Sequence, residues 1–391
     1  MTAEVTIAGV GMHRFGRFPD ASLKDLTRVA VANALDDAGL GVKDIEAVYA
    51  ANAMGGLLQG QEQIRGQAAL RDIGLERVPI VNVENACASG SSALREAVLA
   101  IKAGETDVAL AVGFEKMFVG DRDRSLGALE TAADVEIVRE LGIQFTAVYA
   151  MRLRKLLDAG KLEHRHLVDV TIKSHRNGAL NPYAQFQDGV TAEQVESSTR
   201  IADPLTLLMC SAICDGAAAA ILARRGVLDT RKDTIGVRAT AATSGFTRIS
   251  DDEPATATVC AEKAYERAGL GPEDIDVAEV HDAMAPGELL YYEQLGFCEP
   301  GGAGELLESG ATEIGGKIAV NPSGGLCSRG HPVGATGLAQ IAELVWQLRG
   351  EAGPRQAGRP RIALAQNSGG WLSGESAACN VTILEREAAW N

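Results

Sequence analysis

The sequence predicts an α/β protein made of two copies of one strand–helix unit, with an extra segment inserted into the first copy. Three observations predict it. Residues 38–54, AGLGVKDIEAVYAANAM, return without a gap at 268–284 as AGLGPEDIDVAEVHDAM, an offset of 230. Further on, Cys87-Ala-Ser-Gly90-Ser-Ser92-Ala-Leu94 is echoed by His331-Pro-Val-Gly334-Ala-Thr336-Gly-Leu338, an offset of 244. In both halves, short apolar runs alternate with segments whose apolar residues recur every three or four positions, the pattern of strands alternating with helices.

The elements follow in order. Residues 5–8 read as a strand entering Gly9-Val-Gly11; position 14 is Arg14, so the third glycine of a dinucleotide fingerprint is missing and that reading is weak. A helix stopped by Gly39 leads through a turn to a buried strand, and Gly269 repeats this in the second half. Residues 78–83 form a strand pattern, after which Cys87 opens a helix marked by Ala93, Leu94, Ala97 and Ile101. An apolar strand at 108–112 follows. A polar, charged stretch at 119–205 then interrupts the pattern, until a strand resumes at 215–222. In the second copy a strand at 275–280 ends on His281. His331 opens a helix carrying Leu338, Ile341, Leu344 and Val345, and 361–365 is the next strand. The expected division is 1–118 plus 206–232 for the first half, 119–205 for the insertion and 233–391 for the second half.

Composition narrows the function. A chain of 391 residues exceeds one ordinary core. A net charge of −15 repels nucleic-acid phosphates and anionic membranes, and aromatic residues at 4% are too sparse for base stacking. The longest apolar run, residues 217–223, is too short to span a bilayer, and the N-terminus lacks the features of a signal peptide. Seven scattered cysteines suit reduced thiols in a cytoplasm.

Cys87, at the start of a helix after a strand, would meet unpaired N–H groups and a positive dipole end. Both lower a thiol pKa from about 8.5 toward neutrality and can hold an oxyanion. His331 occupies the duplicate position. If the halves pack about a pseudo-twofold axis, it faces Cys87 as its base. His281 ends a buried strand, where α/β sheets place their sites, and its repeat partner is Ala51, so the fold itself does not require a histidine there. It is a candidate donor to a substrate carbonyl. His164 and His166 read as solvated, and His13 and His175 lack supporting context. Cys210 and Cys214 are spaced for one helix face, but no second ligand pair follows and no zinc site is expected.

Asn85-Ala-Cys-Ala-Ser-Gly-Ser-Ser-Ala-Leu94, Ala202-Asp-Pro-Leu-Thr-Leu-Leu208 with Asp215-Gly-Ala-Ala-Ala219, His281-Asp-Ala-Met284, Asn321-Pro-Ser-Gly-Gly-Leu326 and Gly330-His-Pro-Val-Gly-Ala-Thr-Gly-Leu-Ala-Gln340 are spread over nearly the whole chain. Together they resemble the thiolase superfamily, above all its sterol-carrier and lipid-transfer-type members, alongside acetyl-CoA acetyltransferases. The resemblance implies two βαβαβαββ halves layered α-β-α-β-α, with a loop domain at 119–205 that helps bind coenzyme A. It makes Cys87 the nucleophile, His331 and His281 its acid/base and oxyanion partners, and Gly369, in Asn367-Ser-Gly-Gly370, an oxyanion glycine with Asn367 beside it. Coenzyme A is implied as a substrate, with no metal or redox cofactor on this chain.

The resemblance also implies a homodimer or dimer of dimers, with the strand near 108–112 buried against its twin, and a possible small zinc-ribbon/OB-fold partner subunit. One departure stands out. The third residue of the HDCF motif, a cysteine that moves the α-proton, is here Ala283, and the C-terminal segment offers no thiol either. Cys327 is the nearest spare and reads as a packing residue. Ala283 is therefore expected to make condensation poor. Three readings stay open: a thiolase cleaving a 3-ketoacyl-CoA, a thiolase-fold retro-aldolase acting on a 3-hydroxyacyl-CoA, and a non-catalytic acyl-CoA or lipid binder.

Overall fold

The repeated segment folds the same way twice. Gly39 and Gly269 both take φ 67° and cap the helices Leu23–Ala38 and Thr256–Ala268. A single 3₁₀ turn follows each, pinned by the carboxylate of Asp44 or Asp274 accepting from the N–H of Gly41 or Gly271, each at 2.8 Å. Both copies then enter a strand whose residues are offset by 230.

In this computed structural model, residues 4–228, 235–248, 250, 253–372 and 374–387 are described. The expected boundary at 232–233 and the chain ends at 1–3 and 388–391 lie outside them. The first half contains β1 (Val5–Met12), β2 (Ala47–Ala51), β3 (Ile80–Val83) and β4 (Val108–Lys116). A short pair, β5 (Arg200–Ala202) and β6 (Leu205–Thr206), stands apart before β7 (Asp215–Arg224). The second half contains β8 (Ile235–Ser244), β9 (Val277–Glu279), β10 (Ala319–Val320), β11 (Ile362–Gly369) and β12 (Ala378–Arg386).

Strand order is β3-β2-β4-β7-β1 in one half and β10-β9-β11-β12-β8 in the other, the same order twice. The halves join where β1 pairs antiparallel with β8, through Thr6–Gly236 and Ile7–Ile235. Helices Ser89–Ala103 and Thr336–Arg349 each touch strands of both halves and one another, so they form the layer between them. Leu94, Ala97, Ile101, Leu338, Ile341 and Val345 fill the core there. The outer faces are covered by Leu23–Ala38 on one side and Thr256–Ala268 on the other.

Gly9 has a packing role rather than a nucleotide-binding one. A Cβ there would lie 2.5 Å from the Ala34 carbonyl oxygen, so the glycine lets helix Leu23–Ala38 press onto β1. Strand β4 is not an edge. It sits between β2 and β7, and the first half's edge is β3, which corrects the expectation that the 108–112 strand meets a twin.

The segment 119–205 is helical and shares its core with the second half. Leu153, Leu167 and Val170 pack in one cluster with Cys260, Ala264 and Leu289. Buried Lys173 donates to Glu288 Oε1 at 2.5 Å and to the Val320 carbonyl at 2.7 Å. His166, read as solvated, is buried instead. Its Nδ1 accepts from the Glu163 N–H at 3.0 Å, and its Nε2 lies 2.6 Å from Glu308. Cys210 and Cys214 do not share a helix face; they follow a 3₁₀ turn that ends at Met209. Among the described residues, no helix is long and apolar enough to cross a membrane.

Candidate active site

The two echoed segments meet. A Cβ on Gly90 would lie 3.0 Å from the Gly334 carbonyl, and one on Gly337 would lie 2.5 Å from the Ser91 nitrogen, so the glycines let the two N-terminal turns touch. That contact brings Cys87 and His331 together, with His281 delivered by the end of β9. One ligand atom from each of the three lies within 4.8 Å of the others, and the two imidazole rings stand edge to face at 5.1 Å.

The hydrogen-bond network assigns the two histidines opposite tautomers. Thr336 uses its one hydroxyl proton on the Pro332 carbonyl at 3.0 Å, so at 2.7 Å its oxygen accepts from His331 Nδ1–H. Neutral His331 then carries its lone pair on Nε2. At His281 the polarity is reversed. Asn367 Oδ1 accepts from Ser91 Oγ at 3.0 Å, which turns Asn367 Nδ2 to donate to His281 Nδ1 at 3.0 Å. His281 therefore presents Nε2–H. One ring offers a base and the other a donor.

Both rings are held neutral. Burial, then the Arg329 charge, lowers His281 to about 3. Burial, then His281 and Arg329, takes His331 well below the ordinary value. The helix dipole is not the cause at His331, because the helix begins only at Thr336, five residues on.

Cys87 likewise precedes its helix, which starts at Ser89. It is held in a tight loop in which Ala86 takes φ 48°, strained for a residue with a side chain. Ser89 Oγ fastens that loop by donating to the Ala86 carbonyl at 2.6 Å and accepting from the Asn85 N–H at 2.9 Å. Burial pushes the Cys87 thiol up to about 12, although the N–H groups of Gly370 and of Cys87 itself point at the sulfur and oppose this. Desolvation thus opposes the lowering that the sequence predicts from the N–H groups.

Of the two N–H groups near the sulfur, the one from the C-terminal segment is that of Gly370, one residue beyond Gly369. Gly369 matters for its missing side chain, since a Cβ there would collide with the Asn85 carbonyl and come within 2.6 Å of the Ala88 nitrogen. Ala283 lines the same cavity, and Cys327 is buried with its thiol donating to the Met209 carbonyl at 3.2 Å, a packing position.

The three residues open onto a cavity of about 240 Å³. The inserted segment supplies much of its wall, including Arg122, Leu126, Phe145, Tyr149 and Ile201, and Trp371, whose backbone N–H donates to the Ala132 carbonyl at 2.9 Å, lines it as well.

Residues 5–226 match the family profile described as "Thiolase, N-terminal domain", and residues 240–385 match "Thiolase C-terminal domain-like". The chain belongs to the thiolase family. An acetyl-CoA acetyltransferase of Methanothermobacter thermautotrophicus is 43% identical over 97% of this chain and 99% of its own length. Sterol carrier protein 2 of Rattus norvegicus is 37% identical over 93% of this chain and 70% of its own. Among solved structures, "Ltp2-ChsH2(DUF35) aldolase" superposes with a TM-score of 0.84 at 23% identity, covering 100% of this chain and 99% of that one. Human mitochondrial 3-ketoacyl-CoA thiolase in complex with CoA gives 0.73 at 18%, covering 99% and 98%. These two likenesses share the fold.

Some residues of this thiolase site carried no motif of their own. Glu115, fully buried at the end of β4, accepts from Asn52 Nδ2, Ala53 N, Met54 N and Gly334 N at 2.7 to 3.1 Å. It ties the loop after β2 to the loop carrying His331. Burial raises its pKa to about 7 in spite of those donors. A charged residue ending an otherwise apolar strand was the available signal. Arg329, whose charge bears on both histidines, is buried and paired with Glu279 at 2.8 Å.

Proposed function

We propose that the chain is a thiolase-type acyltransferase that cleaves a 3-ketoacyl-CoA with free coenzyme A through an acyl-Cys87 intermediate. The observation that carries this reading is the approach of Cys87 to two imidazoles of opposite tautomer. As substrate docks, His331 Nε2 takes the Cys87 proton and the thiolate attacks the ketone. The resulting oxyanion accepts from His281 Nε2–H. Collapse breaks the C2–C3 bond and leaves the acyl group on Cys87, where the N–H groups of Cys87 and Gly370 face the thioester oxygen. Coenzyme A then attacks, and the leaving Cys87 sulfur recovers its proton from His331.

The 43% identical acetyl-CoA acetyltransferase supports the acyl-transfer class. The cavity wall supplied by residues 119–205 supports that segment as part of the coenzyme A site. Seven free cysteines suit a cytoplasmic setting. The aldolase likeness and Ala283 favour a second reading, retro-aldol cleavage beside a small partner subunit, but that chemistry has no use for an acylatable thiol flanked by a base.

Intact mass after incubation with a 3-ketoacyl-CoA tests the proposal. An acyl adduct absent from Cys87→Ser, and two thioester products, are expected. One thioester with a free ketone or aldehyde, and no adduct, would establish the aldolase instead.

A further inference from the structure

Breaking the C2–C3 bond leaves an electron pair on C2 that must take a proton, and position 283 carries no thiol. Apart from Cys87, His281 and His331, the acidic side chains lining the cavity are Glu130, Tyr149 and Cys210. Glu130 borders a second, smaller cavity with Val138 and Ile143. The Cys210 thiol donates to the Thr206 carbonyl at 3.3 Å, within its own turn.

Tyr149 is placed differently. It rises from helix Phe145–Asp158 of the inserted segment, and its ring lies where a Cβ on Gly287 would come within 3.0 Å of it. Gly287 therefore makes room for the ring. Tyr149 neighbours Tyr291, whose hydroxyl donates to Ser368 Oγ at 3.3 Å. Gln366 Nε2 anchors the same Ser368 oxygen at 2.8 Å, while Gln366 Oε1 accepts from the His281 N–H at 3.0 Å. The hydroxyl of Tyr291, beside the Tyr149 phenol, is thus tied through Ser368 and Gln366 to the backbone of the residue that presents the oxyanion donor. Tyr149 also feels the charge of Cys87 directly.

We propose that the Tyr149 phenol is the acid that protonates C2 during cleavage, with Tyr291 as its positioning residue. This rests on the acyltransferase reading above. The proton balance closes. Tyr149 O–H gives its proton to C2 as the C2–C3 pair collapses onto that carbon, and the acyl-CoA so formed departs. The His331 imidazolium returns its proton to the tyrosinate through solvent; neutral His331 then takes the thiol proton of incoming coenzyme A, whose sulfur attacks acyl-Cys87, and passes it to the released Cys87. Burial, and then the charge of Tyr291, hold the Tyr149 pKa well above its ordinary value. The phenol therefore carries its proton when the substrate binds.

Acetyl-CoA and acetoacetyl-CoA provide the test, because both leave the same acetyl group on Cys87 and only the second requires a carbon–carbon bond to break. In Tyr149→Phe, rapid-quench mass spectrometry is expected to show an unchanged rate of acetylation from acetyl-CoA and a rate from acetoacetyl-CoA lower by on the order of 10² or more. Tyr291→Phe removes a neighbouring hydroxyl that raises the Tyr149 pKa. It is expected to move the alkaline limb of the acetoacetyl-CoA profile to lower pH, leaving the acetyl-CoA rate unmoved. Unchanged rates from both donors in Tyr149→Phe, or equal loss from both, overturn the assignment, as does selective loss in Cys210→Ser instead. Absence of any acetyl adduct in the unaltered chain defeats the acyltransferase reading itself and is distinguished by that control.

Discussion

A neutral histidine has one lone pair and one N–H, and whatever binds one nitrogen decides what the other presents. At His331 the partner is a hydroxyl oxygen whose proton is already committed to Pro332; at His281 it is an amide N–H. Thr336→Val removes the acceptor and leaves the His331 tautomer unassigned. It is expected to lower kcat while KM changes little, because the loss falls on the proton transfer. His281→Ala is expected to lower kcat by on the order of 10² or more, as loss of an oxyanion donor does. Full turnover in His281→Ala would remove it from the reaction. The thiol gives a separate check. With burial holding Cys87 at about 12, iodoacetamide should alkylate it at a rate that climbs steadily with pH up to 10. A plateau near pH 7 would mean that a thiolate is already present in the free enzyme.

At the scale of elements, the site depends on loops that fasten strand ends to one another. Glu115 is the plainest case. Its carboxyl accepts four hydrogen bonds from two loops, and Glu115→Gln would turn an NH₂ group onto donors. A cost of about 1–3 kcal/mol is expected for the unsatisfied groups. Its pKa also sets a pH dependence. The folded value, about 7, lies above the ordinary value of 4.5, so between those limits the folded chain binds the proton more tightly than the unfolded chain. The stability this provides is full below about pH 4.5 and is lost as pH rises through about 7. Thermal melts from pH 5 to 8 should show a shallower decline in Glu115→Gln than in the parent. Glu279, raised to about 7 by burial against the pull of Arg329, and Asp282, also raised by burial, contribute to the decline that remains.

The helix caps at Gly39 and Gly269, and the glycines where the two central helices meet, were readable because a left-handed turn or a close approach restricts the residue type at a fixed position. The pairing of Cys87 with His331 followed from the same echo. Cys87 lost its expected helix-start position because the helix begins at Ser89, and His331 lost its own because residues 332–335 intervene before Thr336. Local periodicity does not register a loop of that length. The thiol's burial, the burial of His166 against Glu308 and the service of Tyr149 each depend on side chains far away in sequence, which no spacing encodes.

For the whole molecule, the repeated order of five strands leaves each half with an outer strand, β3 in the first and β10 in the second. Strand β3 is the more exposed of the two. Val81 is 47% accessible, and Ile80 and Val83 are only half-buried, whereas both residues of β10 are buried. Among the described residues β3 pairs with β2 alone, so one side of its backbone has no strand neighbour there. An open, apolar edge of this kind invites another strand, and a second copy related by a twofold axis would cover it antiparallel. β3 leads directly into the Cys87 loop, so such a contact would also brace the strained backbone at Ala86. A homodimer through β3 is therefore expected, in place of one through the interior strand β4. Light scattering should give a dimer for the unaltered chain, and Val81→Lys, which sets two like charges across the proposed axis, should shift it toward monomer. If Val81→Lys stays dimeric at low micromolar concentration, the contact lies elsewhere. A monomeric unaltered chain would mean that this edge is left open in solution.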